Sequence, residues 1–263
     1  MSLVESENLV EFTTIHSDSI KDIFETLKEM LQDVNIIWKK DCIQITSLNQ
    51  NKTICVDLKL TKDEISKNGR YECSEEIVTG IHIPTFYKLM KQISKNDTIS
   101  LTIHKSEPDY LFIRLLNDKK SHYKDLTYRL IDNDSNDEID LERELDCEFL
   151  MLSSDFSKYI KDLSIFSHEL EIIATRDQVV FVANGDFGGS KCTIPDEDCI
   201  LFNSSQEVVQ SKFGLKFLQM FTKATNLNQN LKLHIASSPD PLIVEYTIPN
   251  MGVLKFYLVP IDD

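Results

Sequence analysis

The sequence predicts an α+β protein of two similar domains, each with two short helices packed on antiparallel sheets. Four amphipathic helical segments begin near Ser17, Pro84, Ser153 and Phe213, at nearly regular spacing. Each is followed by about three segments that alternate apolar and polar residues, the pattern of half-buried antiparallel strands. One stretch in the middle, 131–146, reads IDNDSNDEIDLERELD and is nearly all acid and amide, with no sustained period. The order of elements, rather than residue identity, points to four copies of one strand–helix–strands unit, two per domain. The predicted domains are 1–130 and 147–263, joined by a connector at 131–146.

The elements follow in order. Residues 9–15 alternate and read as a strand. Residues 17–31 form a helix whose buried stripe is Ile20, Ile23, Phe24, Leu27, Met30 and Leu31, with Ser17 or Asp18 as cap. Strands are expected at 34–39, 42–48 and 53–58, a polar loop at 63–70, and a strand at 77–82. Pro84 suits the first turn of a helix over 84–93. Strands at 98–103, 110–115 and 123–130 complete the first domain. After the connector come a strand at 148–152 and a helix at 153–166 that buries Phe156, Tyr159, Ile160 and Leu163. Strands follow at 169–175 and 179–183, with less regular ones at 191–194 and 199–203. The last helix opens at Phe213 with Phe217, Leu218, Phe221 and Ala224 on one face. Three strands close the chain, carried by Leu231, Leu233 and Ile235, then Leu242, Val244 and Tyr246, then Leu254, Phe256 and Leu258.

The chain has 263 residues and a formal net charge of -15. Its apolar fraction suffices for a sizeable core. No apolar run reads as a signal peptide or a membrane span, so an intracellular, soluble protein is expected, without a membrane partner. The six cysteines are scattered without a Cys-x-x-Cys pair, which favours buried reduced thiols over zinc or redox chemistry. The acidic balance ordinarily argues against nucleic acid, because phosphate affinity comes largely from Lys and Arg.

Three motifs bear on chemistry. Asp132, Asp134 and Asn136 match the first ligand positions of a calcium loop, but Asp137 stands where glycine is needed and Arg143 where the bidentate Glu belongs. A solvated acidic loop is the better reading. The run from Gly185 to Lys191 lacks the spacing and the Lys-Ser order of a phosphate loop and reads as a tight hairpin. The histidines form no i, i+4 pair, and no nucleophile, base and orienter assemble. No enzyme, no cofactor and no metal site is expected.

The lysines carry the stronger signal. Lys21 and Lys28, Lys88 and Lys91, Lys158 and Lys161, and Lys216 and Lys223 are pairs three or seven residues apart, each on one face of its predicted helix. An amphipathic helix often has such a solvent face. Four matched faces in an acidic chain favour a segregated basic surface. The first helix weakens the pattern, since Asp22, Glu25 and Glu29 share its exposed side.

Six stretches carry a resemblance: IKDIFETLKEML, GIHIPTFYKLMKQI, FSKYIKDLS, FLQMFTKAT, PLIVEYTI and NMGVLKFYLVP. Through them nearly the whole chain resembles the proliferating cell nuclear antigen (PCNA) family, the sliding clamps of eukaryotic, archaeal and some viral replication. The resemblance implies the DNA clamp, or processivity, fold and a homotrimeric ring around double-stranded DNA, with the eight lysines facing the DNA. It implies a processivity factor in DNA replication and repair that tethers a DNA polymerase and other proteins bearing PCNA-interacting peptide motifs. Loading would need a clamp loader of the replication factor C type. The alternative is a polymerase accessory factor of the same fold that binds DNA as a monomer or dimer without encircling it. The partner-peptide pocket would comprise Leu48, Lys52, Ile139, Leu141, Pro241, Tyr257, Val259 and Pro260. Subunits would join through Lys124, Leu126 and Tyr128 on one edge and Phe187 and Lys191 on the other. The segment before Leu9 looks like an N-terminal extension. The chain departs from cellular members in four places. Lys52 stands for a common histidine, Asp22 for a basic residue, Leu126 for a common aromatic, and Arg176 for the lysine that accepts ubiquitin. Its divergence and its richness in Ile, Asn and Lys suit a virus or protist. The implied location is the nucleus, or a cytoplasmic replication site for a virus.

Overall fold

The computed structural model describes residues 7–117, 119–120, 122–134, 139, 141 and 146–261. Most of the predicted connector, including Asn136, Asp137 and Arg143 of the calcium-loop comparison, lies outside the described residues. Contacts divide the chain into two compact units. Unit 1 is Met1–Ser47, Asp57–Asp137 and Ile248–Val253; unit 2 is Leu48–Val56, Glu138–Thr247 and Leu254–Asp263.

Unit 1 is built on β1 (Asn8–Thr14), α1 (Ser17–Leu27), β2 (Asp33–Trp38), β3 (Cys42–Leu48), β4 (Ile54–Thr61) and α2 (Lys62–Ile65). It continues with β5 (Gly69–Cys73), β6 (Ile77–His82), α3 (Ile83–Met90), β7 (Asp97–His104), β8 (Glu107–Asn117) and β9 (His122–Arg129). Unit 2 is built on β10 (Cys147–Leu152), α4 (Ser153–Leu163), β11 (Glu169–Thr175), β12 (Gln178–Gly185), β13 (Gly188–Pro195), β14 (Leu201–Ser204) and β15 (Val208–Gly214). Then come α5 (Leu215–Phe221), a 3-10 segment Thr222–Leu227, β16 (Asn230–Ile235), β17 (Leu242–Ile248) and β18 (Gly252–Leu258).

In unit 1 the strands stand in the orders β5-β1-β7-β8-β9 and β6-β2-β3-β4. In unit 2 the orders are β14-β10-β16-β17-β18 and β15-β11-β12-β13. Each strand of the second half takes the place of the strand nine labels earlier. The α+β repeat expected from the order of elements is therefore present in the strand pairing itself.

Each unit is closed by an aromatic core. In unit 1 the Phe24 and Phe86 rings of α1 and α3 meet edge to face at 4.7 Å, and Phe86 meets Tyr128 of β9 at 5.3 Å. Trp38 is fully buried, and its indole N–H donates to the Thr79 hydroxyl at 2.8 Å. In unit 2 Phe221 stacks on Phe256 at 4.6 Å, and the Tyr246 hydroxyl donates to the Phe221 carbonyl at 3.2 Å. Burying each such ring stabilises by roughly 1.5–3 kcal/mol, and the hydroxyl and indole bonds remove the cost of burying their polar atoms.

Several expectations need correction. The polar stretch 63–70 is not a loop: it holds the end of α2 and the start of β5. Ile65 and Tyr71 bury there beneath charged neighbours, so the average polarity hid two inward side chains. Phe213 does not open the last helix. It lies in β15, one residue before its end, a strand the sequence pattern does not announce because Val208–Gly214 mixes its alternation with polar Gln210 and Lys212. The first helix stops at Leu27, and Ser17 does not cap it. The Ser17 hydroxyl instead donates to the buried Asp97 carbonyl at 2.6 Å, tying α1 to β7. The hairpin at 185–188 is as expected, with Gly188 at φ 148°, where other side chains are strained.

Candidate nucleic-acid and partner interfaces

The helices of each unit pack as a pair, α1 beside α3 and α4 beside α5. Their apolar stripes go inward because Ile20, Ile23, Phe24 and Leu27 recur at helical spacing, as do Phe156, Ile160 and Leu163. The lysines are what remains outside.

The two pairs differ. In unit 2, Lys158, Lys161, Lys216 and Lys223 are exposed. Lys161, Lys216 and Lys223 surround an open cleft of about 460 Å³ between α4 and α5, together with Ser157, Gln219 and Thr222. Among the described residues no carboxylate lines it, and the polar neighbours are hydroxyls and an amide. Such a cleft concentrates positive potential on an otherwise acidic chain.

In unit 1, Lys88 and Lys91 are exposed, but Lys21 and Lys28 are half-buried. The Lys28 ammonium lies 3.5 Å from Glu29 and 4.0 Å from Glu25, and 4.3 Å from the centre of the Tyr87 ring. Asp22 sits half-buried on the same helix. Burial first, then Glu25 and Asp18, push its carboxyl above the usual range, while Lys21 pulls the other way. Burial and Glu25 push the Tyr87 hydroxyl up to about 12. Two of the acids that weakened the sequence pattern, Glu25 and Glu29, therefore bind Lys28 to the helix surface.

A second surface forms in unit 2. Cys55, Ile243 and Tyr257 make a buried cluster, and Leu48, Ile139 and Leu141 pack against it, partly exposed. Four of the pocket residues expected from the resemblance are thus brought together. Cys55 and Ile243, buried residues that these pack against, were not among those expected. The signal was present, since each lies in a strand facing the interior beside named residues, but nothing local separates a pocket floor from ordinary core. The rim is shaped by the turn from Asn49 to Thr53. The Asn49 side chain accepts from the Thr53 and Ile54 N–H groups at 2.9 and 3.0 Å, and Lys52 is exposed at φ 57°. The Val259 N–H donates to the Thr53 carbonyl at 3.1 Å, leaving the Val259 side chain half in solvent. Pro260 is buried and lines a separate shallow cleft with Lys212 and Ile261; Pro241 is half-buried just before β17. Neither is among the residues of the apolar cluster.

The expected subunit edges are outermost strands. β9 ends one sheet order of unit 1 and β13 ends one of unit 2. Lys124 and Lys191 are exposed, Leu126 is half-buried, and Phe187 in the β12–β13 turn is fully exposed. Ile165 and Phe166 are exposed too, and the Phe166 ring lies beside Gly188. Tyr128 differs: its ring is buried within unit 1, and its hydroxyl accepts from the His82 N–H at 2.9 Å.

Comparisons with known proteins bear on the fold and the family. The family model for the N-terminal domain of proliferating cell nuclear antigen matches residues 10–139, and that for its C-terminal domain matches residues 139–261. The chain is 30% identical to a Caenorhabditis elegans protein named "Proliferating cell nuclear antigen", over 93% of this chain and 94% of that one. It is 30% identical to "Probable DNA polymerase sliding clamp 1" of Paramecium bursaria Chlorella virus 1, over 96% and 97%. A Dictyostelium discoideum proliferating cell nuclear antigen is 25% identical over 96% and 99%. With both domain models matched in tandem across the repeated fold, this chain belongs to the proliferating cell nuclear antigen family.

Proposed function

We infer that this protein is a DNA polymerase sliding clamp, a homotrimeric ring that encircles duplex DNA and tethers a polymerase and other replication and repair proteins. The observation that carries the reading is the lysine-rimmed cleft between α4 and α5 of unit 2, free of lining carboxylates in a chain of net charge -15. A ring is retained by topology, so a weakly basic inner surface is enough, and an acidic remainder repels DNA elsewhere. The β9 and β13 edges, with Phe187, Ile165 and Phe166 exposed near the latter, support head-to-tail closure of three copies. The Leu48–Tyr257 cluster, with 131–146 as the connector between domains, is the seat we assign to partner peptides, and a clamp loader would open the ring. We assign the chain no catalytic role, and its place is a replication site, nuclear or viral.

The test is polymerase processivity on primed DNA with this protein, its loader and ATP. On closed circular templates product length should rise, and on linear templates with free ends the effect should fade as rings slide off. Equal stimulation on both templates, with light scattering showing a monomer or dimer, would establish the non-encircling accessory factor instead.

A further inference from the structure

We propose that β14 is an open docking edge for an extended segment of a partner protein, apolar at its centre and flanked by lysine or arginine, which adds to the unit 2 sheet as a further strand. The edge shares no residue with the Leu48–Tyr257 cluster or the lysine cleft.

The internal repeat supplies the control. β14 and its counterpart β5 both end their sheet orders, and among the described residues β14 pairs with β10 alone. A terminal strand offers a row of unpaired N–H and C=O groups, which proteins usually guard with charge. β5 is guarded in that way. It reads GRYEC, buries Tyr71, and exposes Arg70 in ion pairs to Glu72 at 3.0 Å and Glu11 at 3.2 Å. β14 and the residue before it read Ile-Leu-Phe-Asn-Ser, with no charge at all. Phe202 turns toward Phe149, at 6.5 Å between ring centres, while Ile200 and Leu201 remain 54% and 43% exposed. The same position in the repeat is thus polar in one copy and apolar in the other.

The flanks decide the occupant. Asp196, Glu197 and Asp198 precede the strand and Glu207 follows it, all exposed. Among the described residues Glu207 pairs with Arg176 alone, at 3.7 Å. A second copy of this chain would bring the same acids to the same edge and be repelled. A segment with basic flanks meets opposite charge at both ends, while its side chains cover Leu201 on one face of the sheet and its intervening ones cover Ile200 on the other.

The probe is a fluorescent peptide, Lys-Lys-Val-Thr-Val-Thr-Val-Lys-Lys, titrated into the full chain beside a twin with glutamates for lysines. The lysine peptide should bind saturably, weaken with salt and move the amide resonances of residues 200–204. Its affinity should fall by roughly tenfold or more in an Ile200→Lys, Leu201→Lys variant, which should fold normally because both side chains are exposed. A Glu197→Lys, Asp198→Lys variant should lose the preference for the lysine peptide while keeping the edge. Tyr257→Ala should bind it like the native protein, so failure of the clamp pocket and of this edge are separable. No binding by the native protein, equal binding of the glutamate twin, binding retained in the Ile200/Leu201 variant, or self-association through this edge would each overturn the proposal.

Discussion

The ammonium of Lys28 lies 4.3 Å from the centre of the Tyr87 ring, so the lysine that caps the C-terminus of α1 is engaged by a residue of α3. The pair joins the two helices of unit 1, and Glu25 and Glu29 hold the lysine in place. In unit 2 Lys216 lies 6.0 Å from the ring centre of its own neighbour Phe217, which ties it to no second helix, and among the described residues Lys161 and Lys223 make no ion pair. The two halves of the repeat should therefore contribute unequally to DNA. Lys28→Ala should cost under about 1 kcal/mol of stability, as an exposed-to-half-buried cation–π and ion-pair site does, and leave the salt dependence of DNA association unchanged. Lys161→Ala, Lys216→Ala and Lys223→Ala together should leave melting unchanged. They should flatten the dependence of log K on log salt by roughly 0.9 for each phosphate that is no longer neutralised. Equal slopes in the two variants would mean that the cleft has no special role.

Assembly gives a second prediction. Phe187 is fully exposed, and Ile165 and Phe166 extend the apolar surface beside Gly188. Phe187→Asp should leave the chain folded and lower the mass seen by light scattering from about three chains toward one. A trimer that persists at sub-micromolar concentration would place the interface elsewhere. Tyr128→Ala should behave differently, lowering thermal stability by about 3–5 kcal/mol as a large core truncation does, because its ring packs on Phe86 inside unit 1.

What was legible in the sequence follows from how far each signal reaches. Leu231, Leu233 and Ile235, or Phe156, Ile160 and Leu163, declare their period within a few residues. Strand and helix positions there needed no tertiary knowledge. β15 and β5 were illegible for the opposite reason. Their inward residues, Val209, Ser211 and Phe213, or Tyr71 alone, are diluted by polar outward neighbours. Ser211 is buried because its hydroxyl reaches the Ala236 carbonyl at 3.1 Å, a partner far along the chain. The lysine faces were visible as spacing, but their inequality was not, since the Tyr87 ring that captures Lys28 lies 59 residues away in sequence. The apolar cluster was suggested only through the family resemblance, because Cys55 of β4 and Leu48 lie far along the chain from Ile243 and Tyr257 of β17 and β18.

That pocket gives a third prediction. A peptide with a glutamine, an aliphatic residue and two aromatics should bind the native protein with modest affinity, since both peptide and connector must be ordered. Its apolar side chains would lie against Leu48, Ile139, Leu141 and Tyr257. Leu48→Ala removes a half-exposed wall and should weaken binding measured by calorimetry by about 1–2 kcal/mol without changing the melt. Tyr257→Ala should weaken it further and also cost stability, because the ring is buried against Cys55 and Ile243. Native and Leu48→Ala proteins that bind alike would show the seat to be misplaced.

The last prediction concerns acid. Glu245 on β17 is flanked by His234 of β16 and Lys255 of β18, with His234 Nε2 and Lys255 Nζ each 3.2 Å from its Oε2. Across the next ladder Glu148 of β10 comes within 3.6 Å of His234 Nδ1 and 3.7 Å of Lys232. Acid and base thus alternate over four neighbouring strands of unit 2. The hydrogen bond from His234 is the largest influence on the Glu245 carboxyl, followed by an opposing effect of burial and then by Lys255. Together they hold it down at about 2 against an ordinary 4.5. The folded pKa is depressed, so the unfolded chain binds the proton more readily. The stabilisation is fully present above the unfolded carboxyl's range and is lost as pH falls from about 4.5 toward 2. Its size is of the order of 3 kcal/mol, since each pKa unit is worth ~1.4 kcal/mol. Glu245→Gln keeps a hydrogen-bond acceptor for His234 but cannot titrate. Urea unfolding of both proteins at intervals from pH 6 to pH 2.5 makes the comparison, with every other carboxylate common to the two. The native protein should lead at pH 6 and converge on the variant as the pH drops, so its stability falls more steeply with acid. Two parallel curves would mean that His234 and Lys255 do not stabilise the Glu245 carboxylate.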